Sequence, residues 1–131
     1  RDAELYHEHS SRPGAPVPHA RLAQNGRSVS TLDLCGKGGF SLLTGIVGED
    51  TWREAAAAAE KAAGVPIAVH VIGPGQEYDD PYGDWIRLRE TQESGALLVR
   101  PDLIVGFRAD AASTTATDDL IAALRQILAL S

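Results

Sequence analysis

The sequence predicts a single α/β domain built on a mixed β-sheet with helices on both faces. The chain has 131 residues, which suits one domain. Hydrophobic residues make up 44% of it and charged residues 23%, as in ordinary globular proteins. Short apolar runs bounded by glycine or proline alternate with two stretches of helical periodicity, and this alternation is typical of α/β folds.

Residues 1–19 are predicted to form a linker or extended N-terminal segment, and residues 20–131 to form the domain. Pro13, Pro16 and Pro18 each fix their own φ and push the preceding residue towards extended geometry. The chain contains no Met, so we interpret it as part of a longer polypeptide.

The first core strand is predicted over residues 40–47, a short apolar run flanked by glycines. It is preceded by an edge segment at residues 20–22 and a tight turn at residues 25–27. The turn is predicted because Asn and Gly both tolerate positive φ.

The alanine-rich residues 52–63 are predicted to form a helix. Thr51 and Glu54 have the spacing of a capping box at its start, and Gly64 is placed to end it. We expect the Trp52 side chain to pack across the sheet edge, without a role in ligand binding.

Residues 67–72 are predicted to form a second strand. A loop containing Asp79, Asp80 and Asp84 then leads into a short helical stretch at residues 85–89.

Residues 96–99 and 103–105 are predicted to form an antiparallel hairpin, because proline occupies the second position of the turn at residues 100–102. Residues 118–130 carry apolar residues at helical spacing and form the last predicted helix. The order of strand, helix, strand, loop, hairpin and helix is that of the thioredoxin-like fold.

Charge and composition exclude several classes of partner. Twelve basic and eighteen acidic residues give a net charge of −6, which disfavours nucleic acids and anionic membrane surfaces. The sequence has no apolar run long enough to span a bilayer and no signal-peptide pattern. The lone Cys35 excludes an internal disulfide and predicts a reducing, cytoplasmic compartment.

Two glycine-rich turns are candidates for phosphate binding. Residues 36–39 lack the Gly-Lys-Ser/Thr ending and the following helix of a phosphate loop. In residues 72–75, Pro74 removes an amide, and Tyr78 takes the place of the third glycine of a dinucleotide fingerprint. We therefore predict turns without a ligand at both places.

The remaining candidates for chemistry are histidines and aspartates. His7 and His9 lack a third metal ligand, and His70 falls in an apolar strand, where a hydrogen-bonded histidine is expected more often than a base. The three loop aspartates lack the spacing of a calcium loop, so a solvated loop is expected there. The sequence therefore predicts no catalytic, cofactor-binding or metal-binding residue in this chain.

Residues 48–52, between the first core strand and its helix, contain no cysteine. Redox-active thioredoxin folds carry a Cys-x-x-Cys pair at this turn, where the helix N-terminus activates the thiol. Cys35 lies before the strand, out of reach of this helix. We therefore predict a thioredoxin-like domain that lacks the Cys-x-x-Cys pair and is inactive in disulfide exchange.

An ordered series of short motifs along residues 12–131 resembles one known family. The motifs are Pro18–His19, residues 30–34, Gly39–Phe40, Leu42–Leu43, Trp52 with Ala55–Ala56, residues 64–66, Gly73, Gly83 with Trp85, and residues 95–102. The most specific is the Leu-Val-Arg-Pro-Asp run at residues 98–102. Together they are similar to the C-terminal thioredoxin-like domain of FAD-dependent aromatic monooxygenases, the phenol hydroxylase and polyketide hydroxylase group.

The resemblance implies a redox-inactive accessory domain with a structural or interface role. The implied parent enzyme binds FAD, uses NAD(P)H and oxygen, and hydroxylates a phenolic or polyketide aromatic ring. Its FAD and substrate domains would lie upstream in the same polypeptide. A homodimer contact, or a contact with another domain, is expected at the apolar run of residues 103–107.

Three positions depart from the family pattern. Leu103 replaces a usual glycine, Cys35 replaces an aromatic residue, and Phe107 replaces a tryptophan. A leucine at positive φ costs about 1–2 kcal/mol, so we expect a different turn around Leu103.

Two other interpretations stay open. The chain could be a free-standing thioredoxin-like binding module without catalytic activity, or an independent redox or hydrolytic enzyme. A Gly-x-Gly-x-x-Gly motif near the start of a parent chain would support the accessory domain, and an initiator Met directly before Arg1 would support the module.

Overall fold

A computed structural model describes residues 14–17, 19–35, 39–73, 76, 78–81, 83–85 and 94–129. Within these residues, strands β1 to β6 span Arg21–Gln24, Arg27–Ser30, Phe40–Thr44, Ile67–Val71, Ala96–Val99 and Val105–Ala109. In the same part of the chain, helices α1 to α3 span Thr31–Cys35, Glu49–Ala63 and Ala116–Ala129.

Four strands form a mixed sheet in the order β4-β3-β5-β6. Strands β3 and β4 run parallel, with Leu43 opposite His70, and are connected through α2. Strand β5 is antiparallel to β3, and β6 is antiparallel to β5, with Leu98 opposite Leu42 and Phe107. The predicted mixed sheet and the β5–β6 hairpin are therefore confirmed, and their arrangement is thioredoxin-like.

The two faces of this sheet bury separate apolar clusters, because successive side chains of a strand point to opposite faces. Helices α2 and α3 pack on each other and on one face, where Leu42 and Leu98 are buried. The other face buries Leu43 and Leu97 beneath α1 and β1. Helices therefore lie on both faces, with the short α1 on the second.

Strands β1 and β2 form a separate two-stranded sheet. The predicted turn between them is confirmed, with Asn25 at φ 53° and Gly26 at φ 79°. The predicted edge segment is therefore one arm of a hairpin that covers the α1 face.

The predicted first core strand is too long. Strand β3 ends at Thr44, and Ile46–Gly48 form a 3₁₀ turn. The Thr44 hydroxyl donates a hydrogen bond to the Gly95 carbonyl at 2.8 Å, which fixes the end of the strand.

The predicted capping box is also wrong. Helix α2 begins at Glu49, its N-cap is Gly48, and no side chain caps it. Glu49 and Asp50 lie in the first turn instead, where the helix dipole favours negative charge. The predicted end is confirmed, because Gly64 adopts φ 75° and donates its N–H to the Glu60 carbonyl at 2.8 Å.

Residues 14–17, within the segment predicted as a linker, lie along the outer edge of β6. The Gly14 N–H donates to the Val105 carbonyl at 2.7 Å, and the Val17 N–H donates to the Leu103 carbonyl at 2.8 Å. The edge that was expected to contact another domain is thus partly covered by the chain itself. Residues 1–13 lie outside the described part of the chain.

The turn around Leu103 differs from the expectation. Leu103 adopts φ 69° and therefore occupies the left-handed region despite its side chain. Its N–H donates to the Arg100 carbonyl at 2.9 Å, and its side chain packs against the core of the α1 face. These contacts hold a backbone conformation that leucine alone disfavours.

Candidate functional site

The corner between β3 and α2 is the place where a redox-active thioredoxin fold carries its cysteines. Here it is occupied by buried structural contacts. The Trp52 indole N–H donates to the Ser94 carbonyl at 2.8 Å, and Thr44 reaches Gly95 in the same loop. The polar groups of this corner therefore hold β3, α2 and the start of β5 together.

Gly48 shows how tightly the corner is packed. A methyl group on its Cα would lie 2.7 Å from the Ser94 carbonyl oxygen, 2.7 Å from the Thr44 hydroxyl and 2.9 Å from the Trp52 ring. The side chains of Ile46 and Val47 in the same turn are exposed. The corner thus presents an apolar surface and no internal space for a ligand.

The two long helices do not fit a flavin pyrophosphate. Such a group needs a helix N-terminus with free amides and a favourable potential. Helix α2 begins with Glu49 and Asp50, and α3 carries Asp118 and Asp119 in its first turn. These negative charges repel an anionic cofactor at the N-terminus of each of the two helices.

Cys35 lies at the end of α1, on the opposite sheet face from α2. Its side chain is fully buried. Burial raises the pKa of Cys35 from 9.0 to about 11, although a hydrogen bond from the Ser41 side chain lowers it in part. At neutral pH the thiol is therefore protonated and a poor nucleophile.

A cleft of about 320 Å³ lies beside β4, on the face that carries α1. Its aromatic wall is formed by His70 and Tyr78, and its aliphatic wall by Leu34, Pro66 and Ala68. Phe40 also borders the cleft, although its ring is packed in the apolar cluster of the α2 face. The His70 and Tyr78 rings meet edge to face with centroids 5.4 Å apart. The Ser41 side chain completes the lining as a buried hydroxyl, 3% exposed.

No contiguous motif marks this cleft in the sequence, because its lining comes from four separate segments. His70 was considered alone as a possible base, and the structure places it in an aromatic wall. Tyr78, which shares its acidic loop with Tyr82, was the one signal of this cleft in the sequence.

The prediction that all three loop aspartates are solvated is wrong. Asp79 is exposed, but Asp84 is only 5% exposed. The Asp84 carboxylate accepts hydrogen bonds from the Arg21 N–H at 3.1 Å and Nε at 2.7 Å. It was wrongly expected in a solvated loop, because its partner lies 63 residues away.

The other sequence candidates fall mostly outside the described residues. This applies to His7, His9, residues 36–38, residues 74–75 and residues 86–89 of the predicted helical stretch. Within the described part of the chain, no three His, Cys, Asp or Glu side chains form a group able to hold a metal ion. No helix in that part is long and apolar enough to cross a membrane.

Comparison with known proteins gives one consistent result. Residues 10–130 match the family model described as aromatic-ring hydroxylase, C-terminal. The chain is 57% identical over 130 residues to 2,4-dichlorophenol 6-monooxygenase of Delftia acidovorans, covering 99% of this chain and 22% of that protein.

Solved structures agree. The flavin-dependent monooxygenase PieE, in complex with FAD and substrate, matches with a TM-score of 0.88 and 45% identity over 100% of this chain and 22% of its own. Aklavinone-11 hydroxylase, in a ternary complex with FAD and aklavinone, matches with a TM-score of 0.80 and 37% identity, over 92% of this chain and 22% of its own.

The chain thus spans about a fifth of the length of these relatives. The matched residues include both long helices and all four strands of the mixed sheet. This chain therefore belongs to the C-terminal domain family of the aromatic-ring hydroxylases.

Proposed function

We propose that this chain is a redox-inactive accessory domain of a FAD-dependent, NAD(P)H-using monooxygenase that hydroxylates a phenolic or polyketide aromatic ring. The observation that carries the proposal is the β3–α2 corner. Residues 45–52 contain no thiol. The Thr44 hydroxyl and the Trp52 indole N–H both donate structural hydrogen bonds to main-chain carbonyls. Cys35 lies on the other sheet face as a protonated thiol.

The chemistry then belongs to cofactors bound elsewhere in a longer polypeptide. Hydride transfer and oxygen activation require the flavin and nicotinamide, because protein side chains do not supply these reactions. The acidic N-termini of α2 and α3 argue against a flavin site in the described residues. FAD and NAD(P)H are therefore assigned to domains upstream of this one, in a cytoplasmic enzyme.

The accessory role is structural, with an interface to those upstream domains or to a second copy of the chain. The exposed side chains of Ile46 and Val47 support an interface role, because exposed apolar side chains that are grouped together mark contact surfaces. The domain itself comprises residues 20–131 with residues 14–17 packed against β6, and the rest of 1–19 connects it to the upstream part.

The test compares the chain alone with the longer enzyme that contains it. Alone, the chain is expected to remain colourless after incubation with FAD and desalting, to leave NADPH unoxidised with phenols, and to fail in insulin reduction. In the longer enzyme, Cys35→Ala is expected to leave phenol-dependent NADPH oxidation unchanged.

Three results would overturn the proposal. These are a yellow isolated chain, reduction of insulin by it, or loss of hydroxylation on Cys35→Ala in an enzyme whose melting temperature is unchanged. The last result would assign the thiol a part in the reaction.

A further inference from the structure

The cleft beside β4 has no part in the proposed accessory role. We propose that it binds a small uncharged aromatic molecule with a hydroxyl group, of the phenol class. The proposal rests on the size, walls, charge and one buried hydroxyl of this cleft, and it holds whether or not the chain belongs to a larger oxygenase.

The size of the cleft suits one ring. Its volume is about 320 Å³. An apolar cavity of about 150 Å³ is enough to hold benzene, and small-molecule sites begin at roughly 300 Å³. A single substituted ring therefore fits, whereas a fused polycyclic ligand would extend out of the cleft.

The walls favour an aromatic ligand. His70 and Tyr78 present two rings, and aromatic rings gain from edge-to-face or offset contact with a further ring. His70 and Tyr78 already meet edge to face at an interplanar angle of 81°, so their planes are set before a ligand arrives. Leu34 and Ala68 supply the aliphatic contacts on the other side.

The described part of the lining favours a neutral ligand. It contains no Asp, Glu, Lys or Arg, and His70 is the one side chain in it that can be cationic. An ion that left water for these walls would lose hydration with little opposite charge in compensation.

Ser41 gives the reason for a hydroxyl group. Its hydroxyl forms a hydrogen bond with the thiol of Cys35, which is not among the described lining residues. A hydroxyl that donates one proton retains acceptor lone pairs, and a phenolic O–H can donate to them. A site that pairs with a ligand hydroxyl discriminates against the analogue lacking it.

The experiment titrates the 131-residue chain, labelled with ¹⁵N, with phenol and separately with toluene. Phenol is expected to shift the amide signals of residues near Ser41, Ala68 and His70 in a saturable manner. Its dissociation constant is expected on the order of 1 mM or below, and toluene is expected to bind at least about fivefold more weakly.

Two variants locate the site. Ala68→Phe fills the cleft and is expected to weaken phenol binding by at least about tenfold. Ala62→Leu, an enlargement at an exposed position of α2, is the matched control and is expected to leave the affinity unchanged. Ser41→Ala is expected to remove the preference for phenol over toluene, with a folded spectrum as the check on structure.

The proposal fails if saturating phenol produces no shifts at these residues. It also fails if Ala68→Phe binds phenol as tightly as the unmodified chain, or if toluene binds as well as phenol. None of these results bears on flavin binding or insulin reduction, so they are separable from a failure of the proposed accessory role.

Discussion

The indole nitrogen of Trp52 donates a hydrogen bond to the main-chain carbonyl of Ser94, 2.8 Å away. The ring is buried and meets Phe107 edge to face, with centroids 6.2 Å apart. The hydroxyl of Ser94 in turn accepts the Ala112 N–H at 3.0 Å. One short loop therefore ties the start of α2 to the segment that precedes α3.

Replacement of Trp52 should separate the contribution of its ring from that of its N–H. Trp52→Ala is expected to lower the free energy of unfolding by about 3–5 kcal/mol, because it removes a buried aromatic ring. Trp52→Phe keeps part of the packing but leaves the Ser94 carbonyl unpaired, which costs about 1–3 kcal/mol. Urea unfolding measures both, and equal losses for the two variants would contradict this division.

Gly48→Ala is expected to destabilise the same corner by about 1–3 kcal/mol through steric crowding. The added methyl group would meet the Ser94 carbonyl, the Thr44 hydroxyl and Trp52 at 2.7–2.9 Å. Backbone conformation is not the cause, because Gly48 has φ −93°. Gly39→Ala is the control, since a methyl group there meets nothing within 4 Å. Equal melting temperatures for the two variants would show that the corner can relax.

The elements that the sequence predicted correctly are those with local causes. The Gly64 cap, the Asn25–Gly26 turn and the β5–β6 hairpin each depend on a few neighbouring residues, whose φ preferences and hydrogen bonds suffice. The succession of these elements was enough to predict the mixed sheet.

The errors arise where a distant segment decides. The strand before α2 stops at Thr44 because its hydroxyl bonds to Gly95, 51 residues later. Asp84 is buried because Arg21 provides three donors to its two carboxylate oxygens. Hydrophobic periodicity contains no information on either contact.

The cleft beside β4 was not predictable for the same reason. Leu34, Ser41, Ala68 and Tyr78 become neighbours only once β3 and β4 are paired and α1 lies over them. Individually they are typical core or loop residues. The lack of a thiol at the β3–α2 corner was predictable, because the absence of cysteine from residues 48–52 is a property of one contiguous segment.

At position 103, a glycine variant should be more stable than an alanine variant, which reverses the usual order. At φ 69° any residue with a Cβ is strained by about 1–2 kcal/mol, and glycine is not. Leu103→Gly and Leu103→Ala both lose the leucine packing, so Leu103→Gly is expected to be the more stable of the two by about 1 kcal/mol. Thermal unfolding of both variants measures the difference.

The control for Leu103 is an exposed helical position of α2. At Ala62, alanine is expected to exceed glycine in stability by about 1 kcal/mol, which is the usual order. If Leu103→Ala is as stable as Leu103→Gly while Ala62→Gly is destabilised, the turn adopts a negative φ in solution.

Cys35 predicts how stability changes at alkaline pH. Burial raises the pKa of its thiol from 9.0 to about 11 in the folded chain, so the unfolded chain releases this proton first. The stability associated with the neutral thiol is therefore fully present below pH 9 and is lost as pH rises through about 11. A difference of two pKa units corresponds to about 2–3 kcal/mol.

Cys35→Ala removes this loss of stability but leaves every Lys and Tyr titration in place. The gap in unfolding free energy between the unmodified chain and Cys35→Ala should thus shift by that amount, in favour of Cys35→Ala, between pH 8 and pH 11. Parallel curves for the two proteins would mean that the thiol ionises equally in both states, and that water reaches Cys35 past Ser41.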